Sequence, residues 1–253
     1  MSQIRKHIRT AIRRLAGKIE RSQSFEREFA EFRRLAEKTA PRFAMEWKVR
    51  FPCLNDKTEN TTFDGHYIYH CAWAARAVAG INPEKHVDIS SDLHFCTIVS
   101  AFVPVDFYDY RPAPLNLGGL ASAKADLTRL PFADHSLQSL SCMHVVEHIG
   151  LGRYGDSLDP DGDLKAIAEL KRVLAPGGSL LFVVPIGKPM LRFNAHRIYS
   201  YAQIIDYFTG LELAEFALIP DDYMRLGLVH EATQADADAQ EYGCGCFRFK
   251  RCG

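Results

Sequence analysis

The sequence predicts a doubly wound α/β domain with a mainly parallel sheet, behind an N-terminal helical extension. Three observations carry that expectation. Short apolar strands alternate with amphipathic helices between His86 and Ile186, the order that builds parallel sheets. The stretch from Leu130 to Pro185 reads as turn, buried strand, helix start, amphipathic helix, Pro-Gly-Gly break and buried strand, which is half of such a domain. Two C-terminal strands joined by a longer loop suit an antiparallel edge pair.

Composition sets the bounds. A chain of 253 residues, 47% hydrophobic, 25% charged and of formal net charge +0 buries roughly 70–75% of its unfolded surface. It needs neither metal nor disulfide to hold together. The charge balance argues against a whole-protein nucleic-acid binder. Seven cysteines, several inside apolar runs (Cys71, Cys96, Cys142), fit reduced thiols in a cytoplasmic protein. The N-terminus has no apolar signal region, and no run approaches the ~20 apolar residues of a membrane span.

Residues 1–40 form the extension. Ile4, Ile8, Ile12, Leu15 and Ile19 fall at helical spacing, and Phe25, Phe29, Phe32 and Leu35 continue the stripe. Arg5, Lys6, Arg9, Arg13, Arg14, Lys18 and Arg21 lie between, and Pro41 ends the segment. Such a basic amphipathic helix packs on its own domain, or docks through residues 1–35 on a partner protein or, peripherally, on an anionic membrane.

The remaining 41–253 read as the α/β domain, opening with an irregular connector over 42–65. A helix covers 66–79, broken by Gly80 and Pro83. HVDIS (86–90) is a first strand, FCTIVSAF (95–102) a buried helix, PVDFYD (104–109) a second strand. SAKADL (122–127) and SLQSLSCM (136–143) are the third and fourth, and HVVEHI opens a helix or loop. A Gly/Asp-rich loop (150–163), a helix (163–174) stopped by Pro176-Gly177-Gly178 and a fifth strand (179–186) follow. A helix at 200–210 and strands at 211–220 and 241–251 complete the chain.

These residues carry a family resemblance. DLTRLPFADHSLQSLSCMHVVEHI with ELKRVLAPGGSLLFVVP resembles the second half of a class I S-adenosylmethionine-dependent methyltransferase. More closely, residues 66–250 are similar to the DUF268 family, a methyltransferase-like family of unsettled function. The matching pieces are HVDISS, DYRP, HIGLGRYGD, RVLAPGGSLLFVVPIG, FNAHR and GCGCFRF. The resemblance implies a Rossmann-like class I fold with a seven-stranded sheet and an S-adenosyl-L-methionine cofactor. It brings no acceptor with it. A sugar hydroxyl of a surface glycan is the guess prompted by the basic helix, with any small molecule as the broader class.

The cofactor presents a ribose diol, an adenine, an amino-acid end and a sulfonium. Asp109, last in the second strand, is the candidate acceptor for the ribose hydroxyls, with Asp106 its nearby competitor. Asp126 is placed for the adenine amino group, with the Leu127 backbone against the ring. Asp88 would face the amino-acid end, with Ser90 and Ser91 in the following turn. Here the chain departs from the usual glycine-rich turn: Asp88-Ile89-Ser90-Ser91-Asp92 has no glycine to let backbone approach a ligand. Cys142 and Met143 would floor the sulfonium site. His144 is the first candidate base, then His148, with Glu147 orienting either and His196 as a rival. Asn194 and Arg197 would bind a polar acceptor beside His196. Each acid also reads as a turn cap, and each histidine as a packing residue.

Competing patterns are weaker. His144-Val-Val-Glu147-His148 is also a zinc-peptidase spacing, but a buried strand leads into it and no third ligand follows at a family spacing. Asp156, Asp159, Asp161 and Asp163 fail the calcium-loop pattern, and Cys244-Gly-Cys246 lacks a second pair, so no metal site is expected. The glycine-free turn also leaves a different class open: a non-catalytic scaffold or binding module that retains the fold.

Overall fold

A computed structural model describes residues 2–39 and 42–253, with side chains from residue 15 onward. The side chains of the stripe positions Ile4, Ile8 and Ile12, the basic side chains up to Arg14, and the whole of Pro41 lie outside what is described. Two compact units are present, Met1–Thr62 and Phe63–Gly253. In the first, helix α1 runs Ser2–Ala36. Phe25 and Phe29 meet Trp47 at ring-centroid distances of 6.0 and 4.9 Å, whereas Leu15, Ile19, Phe32 and Leu35 stay exposed. No helix among the described residues is long and apolar enough to cross a membrane.

The second unit alternates strands and helices. Its elements are α2 (Gly65–Ile81), β1 (His86–Ile89), α3 (Leu93–Val99), β2 (Val105–Asp109), β3 (Leu120–Lys124), β4 (Leu137–Met143), α4 (Gly162–Val173) and β5 (Leu174–Ile186). Then come β6 (Met190–Arg192), β7 (His196–Ile198), α5 (Tyr201–Tyr207), β8 (Glu212–Ile219), α6 (Tyr223–Leu226), β9 (Val229–His230), α7 (Gln234–Asp238) and β10 (Gly243–Lys250). The sheet order is β3-β2-β1-β4-β5-β10-β8-β9. The first five strands are parallel, and β10 runs antiparallel between β5 and β8. This is the expected Rossmann-like α/β fold with a mostly parallel sheet and an antiparallel edge.

Both faces of the sheet are covered, which explains the continuous apolar run Leu180–Val184 of β5. One face packs Val87, Leu140, Phe182 and Phe247 against Ala166, Ile167 and Leu170 of α4 and Ile204 of α5. The other packs Val105, Leu181, Val183 and Ala217 against Trp73 and Val78 of α2 and Phe95 and Val99 of α3. Helix starts follow side-chain chemistry. Asp64 caps α2, Asp92 caps α3, and Ser200 with Gln203 forms a capping box on α5.

Several expectations are corrected. The main sheet has eight strands, not seven, because the two-residue β9 pairs with β8. The antiparallel edge pair stands as expected, with β10 on its inner side bonded to both β5 and β8. Helix α2 passes through Gly80 and stops at Asn82, whose φ of 49° is left-handed. Strand β3 ends at Lys124, leaving Asp126 in the turn beyond, and β5 starts at Leu174, five residues early. There the chain after α4 pairs at once with Leu137, and the Gly177 N–H donates to the Arg251 carbonyl. The β6–β7 hairpin was not anticipated.

Candidate functional site

A cavity of about 320 Å³ opens at the carboxyl ends of β1–β4 and is walled by the loop that follows β4. Ligands bind at this end of open α/β sheets. Ser90, Asp109, Asp126, Leu127, His144 and His148 line it, with Arg111, Tyr154 and Asp156. Asp88, Ser91, Cys142, Met143 and His196 are not among the lining residues.

Two acids form one rim. Asp109 ends β2, and its Oδ1 accepts the Arg111 N–H at 2.6 Å. Asp126 Oδ1 accepts from Thr128 N–H at 2.8 Å and Thr128 Oγ at 2.7 Å. Both acids therefore do make the turn caps that local chemistry allows. Among the described residues, the second oxygen of each has no hydrogen-bond partner.

The glycine-free turn adopts a glycine-like conformation. Ser90 has φ 59°, and its N–H donates to the Tyr108 carbonyl at 2.8 Å. Beneath it lies a polar network that sequence reasoning missed. Asp88 is fully buried, accepting from the Ser91 N–H at 2.9 Å and from the Ser141 hydroxyl. Since Ser141 donates to Asp88, it accepts from His86 Nε2 at 2.8 Å, and Ser139 Oγ donates to His86 Nδ1 at 2.8 Å. Burial pushes the Asp88 carboxyl up to about 6 and His86 down to about 3. Ser91 Oγ accepts the Met143 N–H at 3.0 Å. Asp88 and Ser91 thus brace the turn from below instead of facing the cavity. Cys142 and Met143 are equally buried, and burial raises the Cys142 thiol. The alternation of Ser139, Ser141 and Met143 along β4 was the one available signal for a polar seam.

The loop after β4 folds around one carboxylate. Asp156 accepts the N–H groups of Gly150, Gly152 and Tyr154 at 2.7, 3.3 and 3.2 Å. Despite some desolvation, these donors hold its carboxyl below the usual range. Gly150 sits at φ 80°, where a Cβ would stand 2.0 Å from the Asp159 carbonyl oxygen, so only glycine fits. Arg197 donates to the carbonyls of Ile149 at 2.7 Å and Pro160 at 3.1 Å, and Asn194 to that of Leu151 at 3.4 Å. These two residues staple the loop, which corrects their expected role on an acceptor. Across the mouth, the Arg111 guanidinium lies 4.7 Å from the Tyr154 ring centroid.

The histidines gather opposite the acid rim. His144 has φ 55° and a nearly buried side chain. Its Nδ1 is 2.9 Å from Glu147 Oε1 and its Nε2 3.3 Å from Cys244 Sγ, so both nitrogens are engaged. His148 differs. Its Nδ1 lies 2.6 Å from the Ala195 carbonyl, which can only accept, so the proton is on Nδ1. Arg153, 3.3 Å from that nitrogen, donates instead to the same carbonyl at 3.2 Å. His148 Nε2 keeps its lone pair, 3.7 Å from Glu147 Oε1. Glu147 is buried with Oε2 unpartnered, and desolvation pushes its carboxyl up to about 7. Desolvation lowers His144 to about 4, and also lowers His148 and His196. The His196 ring stands 6.4 Å from that of His148 and 5.1 Å from that of Tyr242.

With that geometry in place, known proteins can be set beside it. The family model described as "Caenorhabditis protein of unknown function, DUF268" matches residues 132–241. The matched segment, less than half of the chain, is similar to that family. It holds the whole histidine side: His144, Glu147, His148, the Asp156 loop and His196. The acid rim precedes it, and Cys244 follows it. No curated protein matches the chain in sequence. Solved structures share the fold around the matched segment. The N-methyltransferase NodS from Bradyrhizobium japonicum, in complex with S-adenosylhomocysteine, is 14% identical over 73% of this chain and 86% of its own, with TM-score 0.51. The 1,6-didemethyltoxoflavin-N1-methyltransferase of Burkholderia thailandensis, with S-adenosylhomocysteine bound, is 9% identical over 73% and 79%, with TM-score 0.53. The YcgJ protein of Bacillus subtilis is 15% identical over 74% and 100%, with TM-score 0.51. At these identities the likeness establishes the fold, that of class I S-adenosylmethionine-dependent methyltransferases.

Proposed function

We propose that the chain is an S-adenosylmethionine-dependent methyltransferase acting on an oxygen or nitrogen nucleophile of a small polar acceptor, a sugar hydroxyl being the first class to test. One observation carries the reading. Asp109 and Asp126, each with a carboxylate oxygen to spare, share a cavity with Ser90 and His148 at the sheet end where this fold binds ligands.

The donor set suits the cofactor. The free oxygen of Asp109 is an acceptor for a ribose diol, and that of Asp126 for an exocyclic amine. Ser90 holds the left-handed conformation at which a glycine would otherwise be required. When bound, the cofactor supplies an electrophilic methyl group on a sulfonium. The chain's own residues orient and deprotonate. Tyr154 and Arg111 close the mouth and limit water, and His148 removes the acceptor proton at Nε2. Its Nδ1–H stays anchored on Ala195, and Glu147 stabilises the resulting imidazolium. His144, engaged at both nitrogens, positions Glu147.

Calorimetric titration with S-adenosylhomocysteine tests the first half. Saturable binding in the micromolar range is expected, and a folded protein that binds none overturns the reading. Screening acceptors for S-adenosylhomocysteine release tests the second half.

A further inference from the structure

Three side chains converge at the histidine side of the cavity, and of them only His144 has a role above, as the residue that positions Glu147. His66 lies in the first turn of α2, His144 directly follows β4, and Cys244 lies in β10. One ligand-type atom from each, ring nitrogen or sulfur, lies within 4.8 Å of the other two. We propose that His66, His144 and Cys244 form a binding site for a zinc-class divalent cation. The inference does not rest on cofactor binding, because neither Asp109 nor Asp126 takes part.

The geometry is close to a coordination sphere. Zinc bonds of about 2.0 Å to nitrogen and about 2.3 Å to sulfur, at a tetrahedral angle, separate the two donors by about 3.5 Å. His144 Nε2 and Cys244 Sγ are 3.3 Å apart. The His66 ring stacks on that of His144, with centroids 5.4 Å apart and planes 13° from parallel, so it turns out of the stack to aim a nitrogen at the same point. Imidazole nitrogen with one thiolate is a borderline-soft set that suits zinc over calcium or magnesium. Three protein ligands leave the fourth tetrahedral position for water.

The side of His144 away from the cation is already held. A metal-bound histidine commonly donates its other N–H to a carboxylate. Here His144 Nδ1 meets Glu147 Oε1 at 2.9 Å. Tyr242 stacks on His66 at 5.1 Å. The charges also close. Among the described residues Glu147 has no basic partner other than histidine within salt-bridge distance, and its Oε2 is buried with no hydrogen-bond partner. A dication with one thiolate and one carboxylate sums to zero, so a cation resolves a buried carboxylate that is otherwise left to neutral histidines.

The test uses the full-length protein, stripped with chelator and reloaded with cobalt(II). A single equivalent is expected to bind and to give a sulfur-to-cobalt charge-transfer band in the near ultraviolet. Zinc should displace it. Cys244→Ser should abolish the band, whereas Cys246→Ser, at the other buried thiol of β10, should keep it. His66→Ala should weaken cobalt binding at least tenfold, and it keeps the test open if the buried Cys244 variant fails to fold. Folded wild-type protein without the band overturns the proposal, as does a band that survives Cys244→Ser or an affinity unchanged by His66→Ala.

Discussion

The two sides of the cavity solve opposite problems. On the acid rim, Asp109 ends β2 and Asp126 sits in the turn beyond β3, each spending one oxygen on a local turn and leaving the other unpartnered among the described residues. On the histidine side, Glu147 is buried with one oxygen unpartnered, among rings whose ionisation is suppressed by desolvation. The difference teaches where energy is stored. The acid rim stands at the mouth of the cavity, each acid with one oxygen unpartnered among the described residues. The histidine side keeps titrating groups dry, where a proton or a cation changes the balance most.

The largest effect should come from removing the rim's function. Asp109→Ala should weaken S-adenosylhomocysteine binding at least about 100-fold, since two charge-assisted hydrogen bonds are lost at roughly 1.5–3 kcal/mol each. Circular dichroism should show the fold unchanged. An unaltered calorimetric affinity would mean that the rim does not hold the ribose, and the contrast between the sides would collapse.

The histidine side should reveal itself through pH. The Glu147 carboxyl is raised from 4.5 to about 7. With the folded value raised, its contribution to stability is complete below about pH 4.5 and is lost as pH climbs through about 7. Above that, the buried charge costs about 3 kcal/mol. Glu147→Gln stays neutral throughout and can still accept from His144. In chelator-treated protein, its melting temperature should match wild type near pH 4.5 and exceed it by pH 8. Asp88, shifted in the same direction, is present in both proteins and cancels in the difference. A pH-independent difference would show that Glu147 is compensated by something else.

The wall between the two sides depends on Asp156. Asp156→Ala removes the acceptor for three loop N–H groups and should lower stability by about 2 kcal/mol. Amide exchange should accelerate selectively at 150–156. Acceleration spread over the whole sheet would mean that the loop is part of the core and not a separable wall.

How much of this was legible follows from how far apart the partners lie. Asp109 could be placed because a β-rich run stops at Arg111-Pro112, and Asp126 because a turn follows an apolar strand. Both depend on neighbours within three residues. Asp88 looked like a ligand contact, but its partner Ser141 comes from β4, and the register that joins them is not encoded locally. His66, His144 and Cys244 come from a helix, the loop after β4 and a strand, roughly eighty and one hundred residues apart, so no spacing rule could unite them. His144 and His148 looked equivalent in H-x-x-E-H. They separate only because Ala195, from the hairpin turn, and Cys244, from β10, claim different nitrogens. The β6–β7 hairpin was hidden by its fully exposed β6, which gives no apolar alternation to read.

The smallest expected effect concerns the turn where the acid rim begins. Ser90 has φ 59°, a conformation that costs a Cβ-bearing residue roughly 1–2 kcal/mol. Glycine would relieve that strain. It would also forfeit the Oγ donation to the Tyr108 carbonyl at 3.2 Å and add freedom to the unfolded chain. These terms nearly cancel, so Ser90→Gly should shift stability by under about 1 kcal/mol in either direction. Cofactor affinity should change less than tenfold, because the turn's shape is fixed from below by Asp88, Ser91 and Ser141 and not by Ser90 itself. A tenfold loss would show instead that the Ser90 hydroxyl is a ligand contact. The rim would then bind through three side chains, and the absent glycine would mark a different mode of holding the cofactor's amino-acid end.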